Sequence, residues 1–208
     1  MTIYLIRHGR QSSRLCNVNV GLCHEGFCQA ALVGERLAEQ KIQKVYSSSL
    51  IRAVETARAA NLYWMAEYEE EPDLREIDFG QMEGLSDRDI AVRFGDYKRE
   101  MEKMEADLPY PKGECAKDVI ARALPVLERI AGRPEDRVAV VTHGGVIRSL
   151  TAHILGMEPG RYRLLGKDLE NCSITEIRAD RDSRRFTLER FNDYAHMEKT
   201  PDLLRRRW

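Results

Sequence analysis

Two histidines, each directly followed by glycine, stand out for what they could do together. His8-Gly9 closes the apolar run Ile3 to Ile6 in MTIYLIRHGR, and His143-Gly144-Gly145 closes Val138 to Val141 in VAVVTHGG. Arg7 adjoins the first pair, and a second arginine, Arg52, lies in SLIRAVETA. A guanidinium's planar fork matches two phosphate oxygens at once, which an ammonium cannot do. Glycine lets a ligand come close to the backbone. Two histidines and two arginines around one glycine-lined pocket therefore suit a phosphoryl group better than a carboxylate. One unprotonated imidazole can attack phosphorus in line and hold the phosphoryl group as phosphohistidine, which divides a slow displacement into two easier ones. Such a reaction needs a carboxylic acid to protonate the departing alcohol and later to deprotonate water. The stretch PDLREIDFGQMEGL offers Glu76, Asp78 and Glu83.

For these groups to meet, the two apolar runs must be parallel neighbours in one sheet. Ligands of open α/β sheets bind beyond the carboxyl ends of the strands, where strand order reverses, and a helix starting near Val146 would aim its free N–H groups at the same place. The rest of the pattern fits. Phe27, Ala30, Ala31, Leu37 and Ala38 predict a helix over 25–40, Lys44 to Ser47 a short strand, and the serines at 47–49 a cap for a helix reaching Asn61. Arg52 falls in that helix's first turn, off its apolar stripe. Residues 86–104 are charged and helix-prone; 114–131 is again helical in period, with Pro125 predicting a kink or break at a cost of ~3 kcal/mol. Arg137 to Thr142 reads as a strand, Val146 to Leu155 as a helix, and 173–178 and 185–191 as two final strands. The order predicts an α/β fold, a three-layer α/β/α sandwich whose mostly parallel central sheet carries an antiparallel edge strand.

The bulk numbers bound the rest. A chain of 208 residues is read as a single domain, 1–208, and 32% charged with 43% hydrophobic residues is an ordinary globular composition. The net charge of -1 supplies no global field for nucleic acid or an anionic membrane, so affinity for anions must be local. Five cysteines without CxxC spacing predict reduced thiols and a cytoplasmic location. No secretory leader or membrane span is expected. A zinc site would need ligand spacing that Cys23, His24 and Cys28 do not supply. His24, His153 and His196 are read as structural or surface groups, and the tail from Lys199 to Trp208, with Arg205, Arg206 and Arg207, as solvated or loosely docked.

With these residues in hand, the sequence resembles the histidine phosphatase superfamily, in its phosphoglycerate-mutase-like branch. The matching pieces are LIRHG (5–9), GFCQAA (26–31), YSSSLIRAVETA (46–57), LREIDFGQMEGL (74–85), VVTHGGVIRSL (140–150) and NCSITEI (171–177). They occur in the family's order along nearly the whole chain. The resemblance implies His8 as the phosphorylated nucleophile, Arg7, Arg52 and His143 on the phosphoryl oxygens, Glu76 as acid and base, and the backbone at Gly144 completing the anion pocket. It implies no metal and no other cofactor. The variable segment 86–113 would cover the substrate.

The chain departs from the family after RHG, where Arg10 to Asn17 replaces the usual acidic or glutamine residue, threonine or serine, and nearby asparagine. Asn17 is the candidate for that phosphate-touching asparagine, and Arg10 and Arg14 are candidates to extend the positive pocket toward a second anionic group. Mutases of the branch usually carry a longer insertion over the site; here fewer than thirty residues separate Leu85 from Glu114. A water-accessible phosphohistidine is hydrolysed. The reading is thus a phosphatase acting on a small phosphorylated metabolite, with no nucleic-acid or membrane partner, as a monomer or homodimer. The alternatives are a phosphoglycerate mutase of the same fold and a non-catalytic phospholigand-binding member.

Overall fold

Strands β1 (Thr2–Arg7), β2 (Lys44–Ser47), β3 (Glu67–Glu70), β4 (Arg137–Thr142), β5 (Ile174–Ala179) and β6 (Phe186–Asp193) form one sheet in the order β3-β2-β4-β1-β5-β6. The structure is a computed structural model that describes residues 1–166 and 169–205. Strands β3, β2, β4 and β1 are parallel, while β5 is antiparallel to both β1 and β6. The reversed strand therefore stands one place in from the edge rather than on it. That is the one refinement to the expected three-layer α/β architecture.

The two apolar runs that end on histidine pair in register, Ile3 opposite Val138 through Arg7 opposite Thr142. They are continuous in hydrophobicity because both sheet faces are covered. Successive side chains of a strand point to opposite faces. Ile3, Leu5, Val138 and Val140 accordingly belong to one core, and Tyr4, Ile6, Ala139 and Val141 to the other. The first core is closed by α4 (Ala116–Ala131) through Val119, Ala123, Leu127 and Ile130, and by α5 (Gly144–Ile154) through Val146, Ile147 and Leu150. The second is closed by α1 (His24–Leu37) through Ala30, Val33 and Leu37, and by α2 (Ile51–Asn61) through Ala53, Ala57 and Ala60. Each fully buried leucine or isoleucine contributes roughly 1.5–3 kcal/mol.

Four local features differ from the sequence reading. Strand β3, EYEE, has no apolar alternation; it is an edge strand whose glutamates hold Lys44, Nζ lying 2.7 Å from Glu69 and 3.2 Å from Glu67. Charge of this kind blunts a sheet edge. Helix α4 runs unbroken through Pro125. The backbone that leaves helical geometry is instead Phe94, inside α3 (Asp87–Glu102), which buries Ile90 and Met101 in the core and packs Phe94 and Tyr97 against it half-buried. Finally, α2 has Leu50, not a serine, at its N-cap and no side-chain capping bond; Ser48 Oγ accepts the N–H of Leu50 at 3.2 Å and also meets His143 in the site described below. Among the described residues, no helix is long and apolar enough to cross a membrane.

Candidate active site

Because β1 and β4 are parallel and in register, the residues that follow them leave the sheet side by side. The rings of His8 and His143 lie 5.0 Å apart, centroid to centroid, tilted at 54°. His8 Nδ1 is 2.7 Å from the carbonyl oxygen of Gly9. A carbonyl only accepts, so Nδ1 carries the hydrogen and Nε2 keeps its lone pair. Nε2 faces the Nε–H of Arg52 at 3.3 Å. Burial pushes the pKa of both imidazoles well below its ordinary value, and the positive charge of Arg52 pushes the same way. Both surroundings favour the neutral ring, the form a nucleophile requires.

Arg52 owes its position to the first turn of α2, and its side chain is almost wholly buried. Besides His8, it donates to the Val18 carbonyl (3.1 Å) and to Oδ1 of Asn17 (2.7 Å). Asn17 in turn donates to Oε1 of Glu83 at 2.6 Å. Asn17 thus lies on the wall of the site's cavity, where it also orients Arg52. Arg7, the last residue of β1, donates to the Leu169 carbonyl. Its pKa is lowered by burial and by nearby Arg205. A cavity of about 330 Å³ opens here, with Arg7, His8, Asn17, Arg52 and Glu76 on its wall. His143 has no exposed surface and is absent from that wall; it sits against His8, its Nε2 2.8 Å from the hydroxyl of Ser48.

Glu76 is the acidic residue of its stretch that reaches this cavity; Asp78 and Glu83 are not on its wall. Its Oε1 accepts from the N–H groups of Ile77 (2.9 Å) and Gly145 (3.0 Å), the latter at the start of α5. The helix N-terminus is therefore partly occupied by the protein's own carboxylate. This changes the reading of the glycines. A Cβ on Gly145 would stand 2.5 Å from Glu76 Oε1, and one on Gly9 would stand 2.6 Å from the Gly26 carbonyl oxygen, so both are needed for contacts within the chain. Gly144 lines a smaller cavity that adjoins the first and shares Arg7 and Glu76 with it.

Arg10 and Arg14 do not extend the positive pocket: neither lines the His8 cavity, and both border a separate surface depression. The tail is not loose over 201–205 either, as Arg10 and Gln29 both donate to its carbonyls. Arg206 and Arg207 lie outside the described residues.

The profile of the histidine phosphatase superfamily (branch 1) matches residues 3–194. The chain belongs to the histidine phosphatase superfamily. It is an enzyme of the phosphoric monoester hydrolase class. Among its relatives, phosphoglycerate mutase-like protein 4 of Arabidopsis thaliana is 34% identical over 210 residues, spanning 95% of this chain and 87% of that one. Metal-independent phosphoserine phosphatase of Arabidopsis thaliana is 31% identical over 212 residues, spanning 98% and 86%. The native structure of mycobacterial glucosyl-3-phosphoglycerate phosphatase superposes with a TM-score of 0.82 at 27% identity, covering 92% of this chain and 98% of that one.

Several residues of this histidine phosphatase's site escaped the sequence reading. Asn171 donates from Nδ2 to the carbonyl of His8 (2.9 Å), and Ser48 holds His143; both sit inside motifs quoted above, which was the available signal. Arg122 gave none. From α4 it donates to the carbonyls of Asp73, Arg75 and Glu76 and, through Nε and Nη2, to both oxygens of Glu114 at 2.8 Å. It clamps the loop that presents Glu76.

Proposed function

We propose that this chain is a phosphatase that hydrolyses a small-molecule phosphomonoester through phosphohistidine on His8. The observation that carries the reading is the hydrogen bond from Nδ1 to the Gly9 carbonyl, which leaves the Nε2 lone pair beside Arg52 in a cavity that also holds Glu76. In the first step, Nε2 attacks phosphorus, the ester P–O bond breaks, and protonated Glu76 gives its proton to the departing alkoxide. In the second, Glu76 takes a proton from water, the water oxygen attacks phosphorus, and the P–N bond breaks to release inorganic phosphate and restore neutral His8. Arg7 and Arg52 neutralise the charge on the equatorial oxygens, the kind of stabilisation that usually outweighs any single proton transfer. His143, packed against His8 behind the cavity wall, supports the orientation of His8, and the backbone at Gly144 supports the phosphoryl group.

Segment 86–113 covers the alcohol portion of the substrate, in keeping with Asp87, Lys98, Glu102 and Tyr110 on the cavity wall. A cytoplasmic location agrees with five unpaired cysteines. Phosphoglycerate mutase is the second reading, favoured by the likeness to a mutase-like relative. Incubation with phosphomonoesters, an alkaline quench and intact-mass analysis test the proposal. A phosphoryl adduct on His8 and release of inorganic phosphate, both lost in His8→Ala, are expected. Isomerisation of 3-phosphoglycerate without phosphate release would replace the phosphatase with the mutase, and phosphate release by His8→Ala at the parent rate would remove the nucleophile.

A further inference from the structure

Glu83 has no part in the chemistry above, yet it stands two hydrogen bonds from the arginine beside His8. The residue is exposed and is not on the cavity wall. Its Oε1 accepts from Asn17 Nδ2 at 2.6 Å and from the Phe79 N–H at 3.2 Å. Asn17 Oδ1 accepts from Arg52 Nη2 at 2.7 Å, and Arg52 Nε faces His8 Nε2 at 3.3 Å. From Arg52 outward, every bond is donated toward Glu83. Backbone bonds pin the two segments side by side, from the Cys16 N–H to the Leu85 carbonyl (2.9 Å) and from the Gly84 N–H to the Cys16 carbonyl (2.7 Å).

By Coulomb's law alone this placement is unfavourable. A carboxylate close to an anion-binding arginine repels the anion and offsets part of the guanidinium's charge. What it supplies is direction. An ionised carboxylate only accepts, so it draws the NH2 group of Asn17 to its own side and leaves the carbonyl oxygen facing Arg52. Turned the other way, the amide would set its NH2 against a guanidinium that also only donates. Arg52 is buried; burial lowers its pKa, and the charges of Glu76 and Glu83 oppose that fall. Held by Asn17 and by the Val18 carbonyl, the guanidinium keeps its Nε aimed at His8 Nε2.

We propose that Glu83 is a positioning residue of the phosphoryl site: by fixing the orientation of the Asn17 amide, it holds the Arg52 guanidinium where it meets a phosphoryl oxygen beside His8. The inference rests on the reading of this cavity as the phosphoryl site, and it predicts a sign opposite to simple electrostatics. Removing a bystander carboxylate would tighten anion binding; removing a positioning one weakens it. Titration calorimetry of the full chain with inorganic phosphate reads the sign without turnover. Glu83→Gln, whose amide oxygen can accept both bonds that Oε1 accepts, should stay within about threefold of the parent. Glu83→Ala should weaken binding about tenfold, the size of one charge-assisted contact. Glu83→Lys, which only donates and so turns the amide around, should weaken it at least as much despite the added positive charge.

Asn17 supplies the control. Its φ of +47° is a left-handed conformation that glycine adopts freely, so Asn17→Gly deletes the amide without straining the loop. In that background Glu83→Ala and Glu83→Lys should no longer weaken phosphate binding, because no amide remains to orient. Tighter or unchanged binding in Glu83→Ala and Glu83→Lys overturns the proposal, as does a loss in Glu83→Gln equal to that in Glu83→Ala. The same weakening with and without Asn17 also overturns it, since the effect would then run through the Phe79 N–H. Absence of phosphate binding by the parent chain overturns it together with the site. Binding that ranks as expected in a chain that hydrolyses no ester would sink the phosphatase reading and uphold the role of Glu83. Because Glu83 is exposed, none of its substitutions opens the core.

Discussion

Replacing Glu76 by glutamine separates proton transfer from architecture at this site. The amide oxygen of glutamine can accept the same two hydrogen bonds that Oε1 now accepts from Ile77 and Gly145, so the loop keeps its anchor on α5. Any weakening of those two bonds on exchanging a carboxyl for an amide oxygen is of the order of 1 kcal/mol. That loss is the same whatever the substrate. The proton is different. General acid assistance contributes typically ~10²- to 10⁴-fold, or roughly 3–5 kcal/mol of barrier, and only where the leaving group needs it. An alkoxide leaving from an alkyl phosphate needs it, whereas p-nitrophenolate leaves largely unaided. Glu76→Gln should therefore lose at least about 100-fold in kcat on alkyl phosphates and at least tenfold less than that on p-nitrophenyl phosphate, both measured as phosphate release. Equal losses on the two substrates would show that Glu76 acts by holding the backbone, and the assignment of acid and base would fall.

Arg122→Met should also depress turnover of alkyl more than aryl esters, by up to about 100-fold, because it frees the backbone that aims Glu76; it should cost about 1–3 kcal/mol in urea unfolding by removing the two-pronged partner of Glu114, which keeps only Arg75 at 3.4 Å and the Asp78 N–H. Stability should fall on acidification. His8 and His143 resist protonation in the folded protein, so below about pH 6.5 the unfolded chain binds more protons and the folded state loses ground, at a slope approaching about 2.7 kcal/mol per pH unit for the pair, until the pH reaches their depressed folded pKa values. Urea melts at pH 7.5 and 5.5 read this directly, and His143→Gln should remove about half of the slope; equal midpoints at the two pH values would contradict neutral buried rings. Leu127→Ala, in the core beneath β4, should cost about 2–5 kcal/mol without changing the ratio of alkyl to aryl turnover.

How far the chain's sequence reached can be read at particular residues. Strands β1 and β4, the helices after them, and the meeting of His8 with His143 followed from local pattern, because a continuous apolar run ending in glycine has few alternatives in an α/β fold. The identity of Glu76 rather than Asp78 or Glu83 came only from resemblance, since all three carboxylates are chemically equivalent until a backbone brings one to the cavity. Strand β3 was invisible because EYEE forms by pairing with β2 at an exposed edge, which depends on the partner and not on its own hydrophobicity.

What the sequence alone determined, then, was the pair of histidines and the arginines proposed for the chemistry and the two strands that bring the histidines together, since both are written in residue type and short-range period. Tertiary structure decided what each remaining polar group touches. Glu76 rather than a ligand takes the N–H of Gly145, Asn17 and Ser48 orient Arg52 and His143, and Arg10 reaches across more than 190 positions to the tail instead of into the pocket. The physical reason is that a hydrogen bond is short-ranged and indifferent to sequence separation: which donor meets which acceptor is fixed only when the packed cores have set every backbone segment in place.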